Sequence, residues 1–403
     1  MDLKDTPQEA AFRAEVCAWL EENAADYGAA NVRKTYLSED VDEALKRAKE
    51  WQALKADAGY SCMTWPEEYG GRGASTMEAV IYREEEAKYA VPRGFFEIGQ
   101  GMAGPTMMKY ATPEQNKEHM PPMLRGDTVW CQLFSEPAAG SDLAGLRTRA
   151  EQEGDDWIIN GQKVWTSGAH YSDWGIVVTR HDTTLPKHQG LTYFFVDMKS
   201  PGIEIRRIKQ ISGGSNFCEV YFTDVRIPDS QRLGNIGDGW SVSLTTLMNE
   251  RLAVGSAAPP DADDLLKMAK EQGVLSNGEV RAKIADWYVQ MTGLKFTKAR
   301  TMTALSKGQT PGPEASIEKL VSASKQQDIG SFGMDLNDMA GILTDTPDDA
   351  LFYNGYMSSP GFRIAGGTDE ILRNIISERV LGLPPEIRVD KRVSFAELAS
   401  GAT

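Results

Sequence analysis

Apolar residues recur at helical spacing through the first third of the chain. In EAAFRAEVCAWLEENA, residues 9–24, the side chains of Phe12, Val16, Trp19 and Leu20 stand three and four positions apart, which places them on one stripe of a helix. Comparable stretches run from Val41 through Leu54, broken at Ala58-Gly59-Tyr60, and from Met77 to Tyr89. Pro121-Pro122 and Gly126-Asp127 then punctuate the chain, and after Trp130 the pattern becomes that of strands. Strands are expected at Gly175–Val178, Leu191–Val196 and Ile203–Ile205, with Phe217–Ile227 alternating as FCEVYFTDVRI. Asn160-Gly161 separates Trp157-Ile158-Ile159 from Lys163-Val164-Trp165 and predicts a tight hairpin, because both of its residues tolerate positive φ. From Gly239 the helical period returns, with helices expected over Trp240–Ala258, Glu279–Ser306, Ala315–Gly341 and Thr368–Val380. Thr310-Pro311-Gly312-Pro313 separates two of these, and Gly382-Leu383-Pro384-Pro385 ends the last. The order is helices, a small barrel or sandwich, helices, and then a tail.

A length of 403 residues favours two or three domains over one. With 41% hydrophobic and 25% charged residues, fibrous and wholly disordered classes are excluded. The net charge of −15, with no concentration of Lys or Arg, argues against a nucleic-acid partner. Cys17, Cys62, Cys131 and Cys218 lie far apart and form no Cys-x-x-Cys pair, so neither a disulfide framework nor a zinc site is expected. His119, His170, His181 and His188 show no ligand spacing and read as surface or loop residues; no metal is expected. The start MDLKDTPQEA lacks the apolar run of a secretory signal, and no window reaches about 18 consecutive apolar residues. The expectation is a soluble, cytoplasmic protein without a membrane partner.

Gly99-Gln100-Gly101-Met102-Ala103-Gly104 fits the dinucleotide pattern Gly-x-Gly-x-x-Gly, but no strand precedes it and no βαβ unit surrounds it, so a Rossmann site is rejected. The phosphate-loop, His-Glu-x-x-His and Gly-x-Ser-x-Gly patterns are absent from the sequence. More informative is the stretch 130–145, where a strand runs into a turn of small residues and hydroxyls. Backbone N–H groups, Ser135 and Ser141 can approach an anionic or heteroaromatic ligand there, although the same composition also makes an ordinary turn. Trp165-Thr166-Ser167-Gly168 sets an indole beside two hydroxyls, which suits a flat ring such as a flavin and equally suits core packing.

Together, and at this spacing, these segments resemble the acyl-CoA dehydrogenase family. Phe134-Ser135-Glu136-Pro137-Ala138-Ala139-Gly140-Ser141-Asp142 is similar to the family's middle motif, Trp65-Pro66-Glu67-Glu68-Tyr69-Gly70-Gly71 to its N-terminal signature, and Gly366-Gly367-Thr368-Asp369-Glu370-Ile371 to its C-terminal one. The resemblance spans nearly the whole chain. It implies an α+β fold with an N-terminal helical domain (1–128), a central β-barrel domain (129–238), a C-terminal four-helix bundle (239–390) and a tail (391–403). It also implies FAD between the β domain and the C-terminal helices. On this resemblance Gln132, Leu133, Phe134 and Ser135 line the flavin ring, and Trp165, Thr166 and Ser167 cover it, with Ser167 nearest N5. Ser141 lies by both pyrophosphate and substrate, and Thr368 and Glu370 lie by the FAD phosphates; Thr368 followed by Asp369 and Glu370 is also ordinary helix capping.

The reaction implied by the resemblance is α,β-dehydrogenation of an acyl-CoA thioester to the trans-2-enoyl-CoA, with electrons passed to an electron-transfer flavoprotein. Such chemistry needs a carboxylate within reach of the α-proton. Many members carry that glutamate directly before the Gly-Thr of the C-terminal motif, where this chain has Gly366. Members resembling the isovaleryl and long-chain types carry it on the first C-terminal helix before an arginine, and Asn249-Glu250-Arg251-Leu252 matches that arrangement. Glu250 is therefore the candidate base and Arg251 the residue that orients acyl-CoA. Gly366 and Gly367 would contact the substrate, whose thioester oxygen would be polarised by a backbone N–H near Gly366 and by an FAD ribityl hydroxyl.

Homotetrameric members hold the adenine end of a neighbour's FAD with Arg-x-x-Phe-Gly and Gln-x-x-Gly-Gly segments. Neither stands at the corresponding places of this sequence, which Glu271–Gly278, with Arg281 nearby, and Asp338–Ile342 occupy. The resemblance thus leaves open a homo-oligomer (a dimer or a dimer of dimers, as in a homotetramer) and an α2β2 assembly sharing FAD with a partner chain. A flavin oxidase or monooxygenase on the same fold also stays open.

Overall fold

The computed structural model describes residues 5–28, 41–253, 260–306, 312–313, 315–346, 348–388 and 390–399. Its helices are α1 (Pro7–Asn23), α2 (Val41–Asp57), α3 (Thr76–Glu86), α4 (Gly104–Tyr110), α5 (Pro113–Arg125), α6 (Gly239–Ala253), α7 (Ala262–Glu271), α8 (Gly278–Ser306), α9 (Ala315–Leu336), α10 (Ala350–Phe362), α11 (Asp369–Ile375) and α12 (Phe395–Ala399). Between α5 and α6 run β1 (Trp130–Leu133), β2 (Arg149–Glu153), β3 (Asp156–Ser167), β4 (Trp174–Arg180), β5 (Leu191–Asp197), β6 (Ile203–Arg207) and β7 (Phe217–Pro228). Several helix starts are set by reciprocal caps: Thr6 with Glu9, Ser75 with Glu78 and Thr112 with Gln115.

The chain forms two units that do not follow its linear order. One gathers α1, α3 and α7–α11. Here α9 packs against α7, α8, α10 and α11, around a core that includes Leu265, Ile284, Trp287, Ile329 and Phe352. The close approach of α10 depends on Gly333, where a Cβ would fall 2.1 Å from the Phe352 ring. The apolar period of α7 is strong, with Ala262, Leu265, Met268 and Ala269 buried on one face, whereas α10 does not stand out in the pattern. The latter, ALFYNGYMSSPGF, is apolar on most sides and carries Gly355 and Pro360, so it lacks the one-sided period that marks an exposed helix.

The other unit gathers α2, α4–α6, all seven strands and α12. Its sheet has the order β1-β4-β2-β3-β7-β6, with β5 on β4, and it curls because β4 pairs with β1 over its first part and with β2 at Arg180. One core cluster contains Cys131, Leu133, Val177, Phe194, Val196 and Val220, and the alternate residues Trp130, Ile176, Val178, Tyr193 and Phe195 belong to a cluster shared with α4–α6. Both faces of β5 are buried, which is why LTYFFV reads as a continuous apolar run.

Four expectations are corrected. Asn160-Gly161 makes no hairpin: β3 continues through it, Asn160 exchanges hydrogen bonds of 2.9 Å with Asp224, and the pairing with β7 shifts register there. The turn in fact lies at Gly154-Asp155, where Gly154 takes φ +64° between β2 and β3. His119 is neither surface nor loop; it is buried on α5, edge-on to Trp130, Trp174 and Phe195, and burial lowers its pKa. The helix expected to Gly341 stops at Leu336 and gives way to a 3₁₀ turn at Asp338–Ile342, while Ile376–Val380 is π-helical beyond α11. The helix expected to Ala258 is α6, and 254–258 lie outside the described residues, as do 310–311 of the Pro-Gly-Pro loop. The Gly99–Gly104 pattern is helical, and its last glycine admits Trp65: a Cβ at Gly104 would fall 2.4 Å from the indole. Among the described residues no helix is long and apolar enough to cross a membrane, the four cysteines are free, and no His/Cys/Asp/Glu group suits a metal.

Candidate active site

The candidate residues fall into two groups, one on each unit. On the strand-bearing unit, the chain leaves β1 at Leu133 and turns through Ser135–Asp142. Glu136 organises this turn. Its carboxylate accepts from the backbone N–H groups of Arg147 at 2.6 Å and Thr148 at 2.9 Å, and from Lys163 Nζ at 2.9 Å. Lys163 also donates to the Phe134 carbonyl at 3.1 Å, and Val164 N–H to the Ser135 carbonyl at 2.9 Å. Both charges are buried. Burial pushes the Glu136 pKa up, but the Lys163 charge and the donors outweigh it and hold the carboxyl below its usual range; burial dominates at Lys163 and lowers its pKa.

The cross-link ends beside a β-bulge. Register with β7 slips between Lys163 and Thr166, and Trp165 takes φ +59°, a conformation rare for a bulky residue. The bulge leaves the Trp165 indole 57% exposed, edge-on to Phe217 at a centroid distance of 6.0 Å, so core packing does not account for it. Thr166 points the other way; it is buried, and its Oγ1 has no hydrogen-bond partner among the described residues. Gln132, Ser135 and Ser167 are half-buried, and Gly140 and Ser141 are exposed at the crest of the turn, with no atom within 4 Å of a Cβ built on Gly140. Leu133 and Phe134 commit their side chains to the core, so only their backbone can face a ligand.

Helix α6 belongs to the same unit. Thr246 fixes it: Thr106 Oγ1 and Tyr193 Oη each lie 2.9 Å from Thr246 Oγ1, and all three side chains are buried. Glu250 and Arg251 follow in the last part of α6, and their side chains lie outside the described residues.

The second group lies in the turn before α11. Gly366 at φ +65° and Gly367 at φ +97° supply a backbone that residues with a Cβ rarely adopt. Thr368 caps α11, its Oγ1 accepting from Ile371 N–H at 3.2 Å, so the capping reading is realised. Lys319 Nζ donates to the Gly367 carbonyl at 2.5 Å, and Arg363 Nε to Asp369 Oδ2 at 2.7 Å; Asp369 is buried and Glu370 exposed. Glu136 stood in the motif without an assigned role, and Lys163, Lys319 and Arg363 carried no sequence signal. Their partners are distant in the chain, and only folding pairs them.

Family models for the acyl-CoA dehydrogenase N-terminal, middle and C-terminal domains match residues 6–127, 131–225 and 237–381. The chain belongs to the acyl-CoA dehydrogenase family, a class of FAD-dependent oxidoreductases with this α+β fold. It is 37% identical over 392 residues to the acyl-CoA dehydrogenase IpdE1 of Mycolicibacterium smegmatis, covering 94% of this chain and 98% of that protein. It is 40% identical over 347 residues to FadE34 of Mycobacterium tuberculosis, covering 85% of this chain and 47% of that longer protein. Among solved structures, the Tcur3481-Tcur3483 steroid ACAD has a TM-score of 0.80 at 27% identity, and the ChsE4-ChsE5 complex from Mycobacterium tuberculosis 0.79 at 27%; each match covers 96% of this chain and 100% of the other. The donor set fits the FAD that the family binds: an exposed indole, the hydroxyls of Ser135, Ser141 and Ser167, the orphaned Thr166 Oγ1 and the unobstructed backbone at Gly140.

Proposed function

We propose that this chain catalyses α,β-dehydrogenation of an acyl-CoA thioester to the trans-2-enoyl-CoA and passes the electrons to an electron-transfer flavoprotein. The observation that carries the proposal is the Trp165 bulge, which spends a strained φ to expose a flat apolar ring two residues from the half-buried Ser167. Bound FAD supplies the hydride acceptor. The indole of Trp165 packs on the flavin, and Ser167 and the 132–135 backbone hold its ring edge. Glu250 takes the α-proton and Arg251 orients the thioester. The Gly366 N–H, in the positive-φ turn, polarises the carbonyl oxygen. Ser141 contacts pyrophosphate and substrate, and Thr368 and Glu370 lie by the FAD phosphates.

A paired assembly is supported by two observations: the adenine-end segments of homotetrameric members are missing, and the names of the two solved structures above each join two proteins. We infer an α2β2 complex in which a related second chain completes the FAD site. The steroid name of one neighbour makes a steroid-derived acyl group the first substrate class to try.

The test is the visible spectrum of the chain purified alone and with a related partner, before and after anaerobic addition of acyl-CoA thioesters that include steroid side-chain derivatives. Bleaching with formation of the 2-enoyl-CoA, followed by slow reoxidation in air and fast transfer to an electron-transfer flavoprotein, is expected. A flavin-loaded protein that no thioester reduces overturns the proposal, and rapid oxidation by air turns it into an oxidase.

A further inference from the structure

The segment after Pro385, read from sequence as a tail, returns to the strand-bearing unit and is tied to it. Phe395 N–H donates to the Leu185 carbonyl and Ala396 N–H to the Thr183 carbonyl, each at 2.9 Å, and Ser394 bridges to Pro186. The Phe395 ring is buried, with the Arg180 guanidinium 3.6 Å from its centroid. Asp390 reaches Lys187 Nζ at 2.5 Å.

Of the two cations that this segment engages, Lys187 holds the motif turn and Arg180 the 3₁₀ turn that directly follows it. Lys187 Nζ donates to both Asp142 carboxylate oxygens, at 2.8 and 3.0 Å. Arg180 donates to the carbonyls of Ala144 at 2.5 Å, Leu146 at 3.0 Å and Lys187 at 3.3 Å. We infer that Asp390–Leu398 is a strap that positions the Gly140-Ser141-Asp142 turn for ligand binding, acting through Lys187 and Arg180. The inference rests on the reading of that turn as a binding element for FAD and acyl-CoA.

The physical reason is competition with water. Burial pulls the Arg180 guanidinium down to about 10, so its charge gains by hydration if the Phe395 lid is lost, and carbonyls then compete with solvent for its donors. Lys187 is nearly enclosed, with 12% of its side chain exposed, and two carboxylates share it. Without Asp390 the ammonium keeps only Asp142, whose own side chain is largely exposed and free to follow it. Asp390 and Phe395 act on the turn through Lys187 and Arg180, so they are positioning residues and not catalytic ones.

The test uses the FAD-loaded protein, with its partner chain where one is needed, in the variants Asp390→Asn, Asp390→Glu and Phe395→Ala. Binding is read with free coenzyme A and FAD as probes, and turnover with the thioester that bleaches the flavin. For Asp390→Asn, Kd for coenzyme A and KM should rise about two- to fivefold, the range of a partly exposed ion pair, with kcat unchanged. Phe395→Ala should raise them roughly tenfold, as loss of a desolvated cation–π contact does, and Asp390→Glu should restore wild-type values. Unchanged Kd and KM in Asp390→Asn and Phe395→Ala, even with a lowered Tm, overturn the strap and leave the proposed function standing. A wild-type protein that binds neither probe removes the reading of the turn, and the strap with it.

Discussion

Lys163 Nζ and Glu136 Oε1 lie 2.9 Å apart with both side chains shut away from water. The pair joins the strand that carries the Trp165 bulge to the turn that carries Ser141. Glu136 also collects the N–H groups of Arg147 and Thr148, so one carboxylate fixes both ends of the loop.

Removing either partner leaves an uncompensated buried charge, a change that costs about 3–5 kcal/mol. Lys163→Met and Glu136→Gln should each lower stability by that order and reduce flavin content, as measured by denaturant melts and absorbance. The sign with pH follows from the lowered Glu136 pKa. Its contribution is full above the unfolded value of about 4.3 and is lost as pH falls through the lower folded value. Wild type and Glu136→Gln should therefore converge in stability only in that acid range; a constant difference down to the acid limit would contradict this assignment.

Trp165 is exposed and packs little, so Trp165→Ala should change stability by less than about 1 kcal/mol. Affinity for FAD, followed by flavin fluorescence, should instead fall roughly tenfold with the loss of a stacking face. Equal losses in stability and affinity would return the indole to a packing role.

Thr246→Val deprives the buried Tyr193 hydroxyl of its partner, while Thr106 keeps its hydrogen bond to the Met102 carbonyl at 2.8 Å. Leaving such a group unsatisfied costs about 1–3 kcal/mol. Because α6 carries Glu250, the rate of flavin reduction should drop while FAD binding persists. A wild-type reduction rate in rapid-mixing experiments would uncouple this network from catalysis.

Glu250→Gln should reduce anaerobic flavin reduction by about 10²–10⁴-fold, the usual contribution of a positioned base, with FAD and acyl-CoA still bound. Undiminished reduction would move the base to Glu370 or Asp369, at the turn that holds Gly366.

Much of the fold was legible because its signals are local. The period of Phe12, Val16 and Leu20, the alternation of FCEVYFTDVRI and the apolar run at Leu191–Val196 each lie within one element, and their apolar side chains are partly or fully buried as a helix or strand of that kind requires. The motif from Ser135 to Asp142 and the register of Glu250 before Arg251 were equally visible, since they are runs of neighbouring residues.

What the sequence by itself determined, then, is the order of helices and strands, the family and the residues that bear its motifs. The tertiary structure decided the rest. It made Asn160-Gly161 a bulge by giving Asn160 a partner in Asp224, and it exposed Trp165 through a register slip against β7. It buried Lys163 on Glu136 and returned Phe395 to Arg180. Each outcome depends on partners far apart in the chain, and the free energy of a buried charge or an ejected ring is set by those partners and not by its neighbours in sequence.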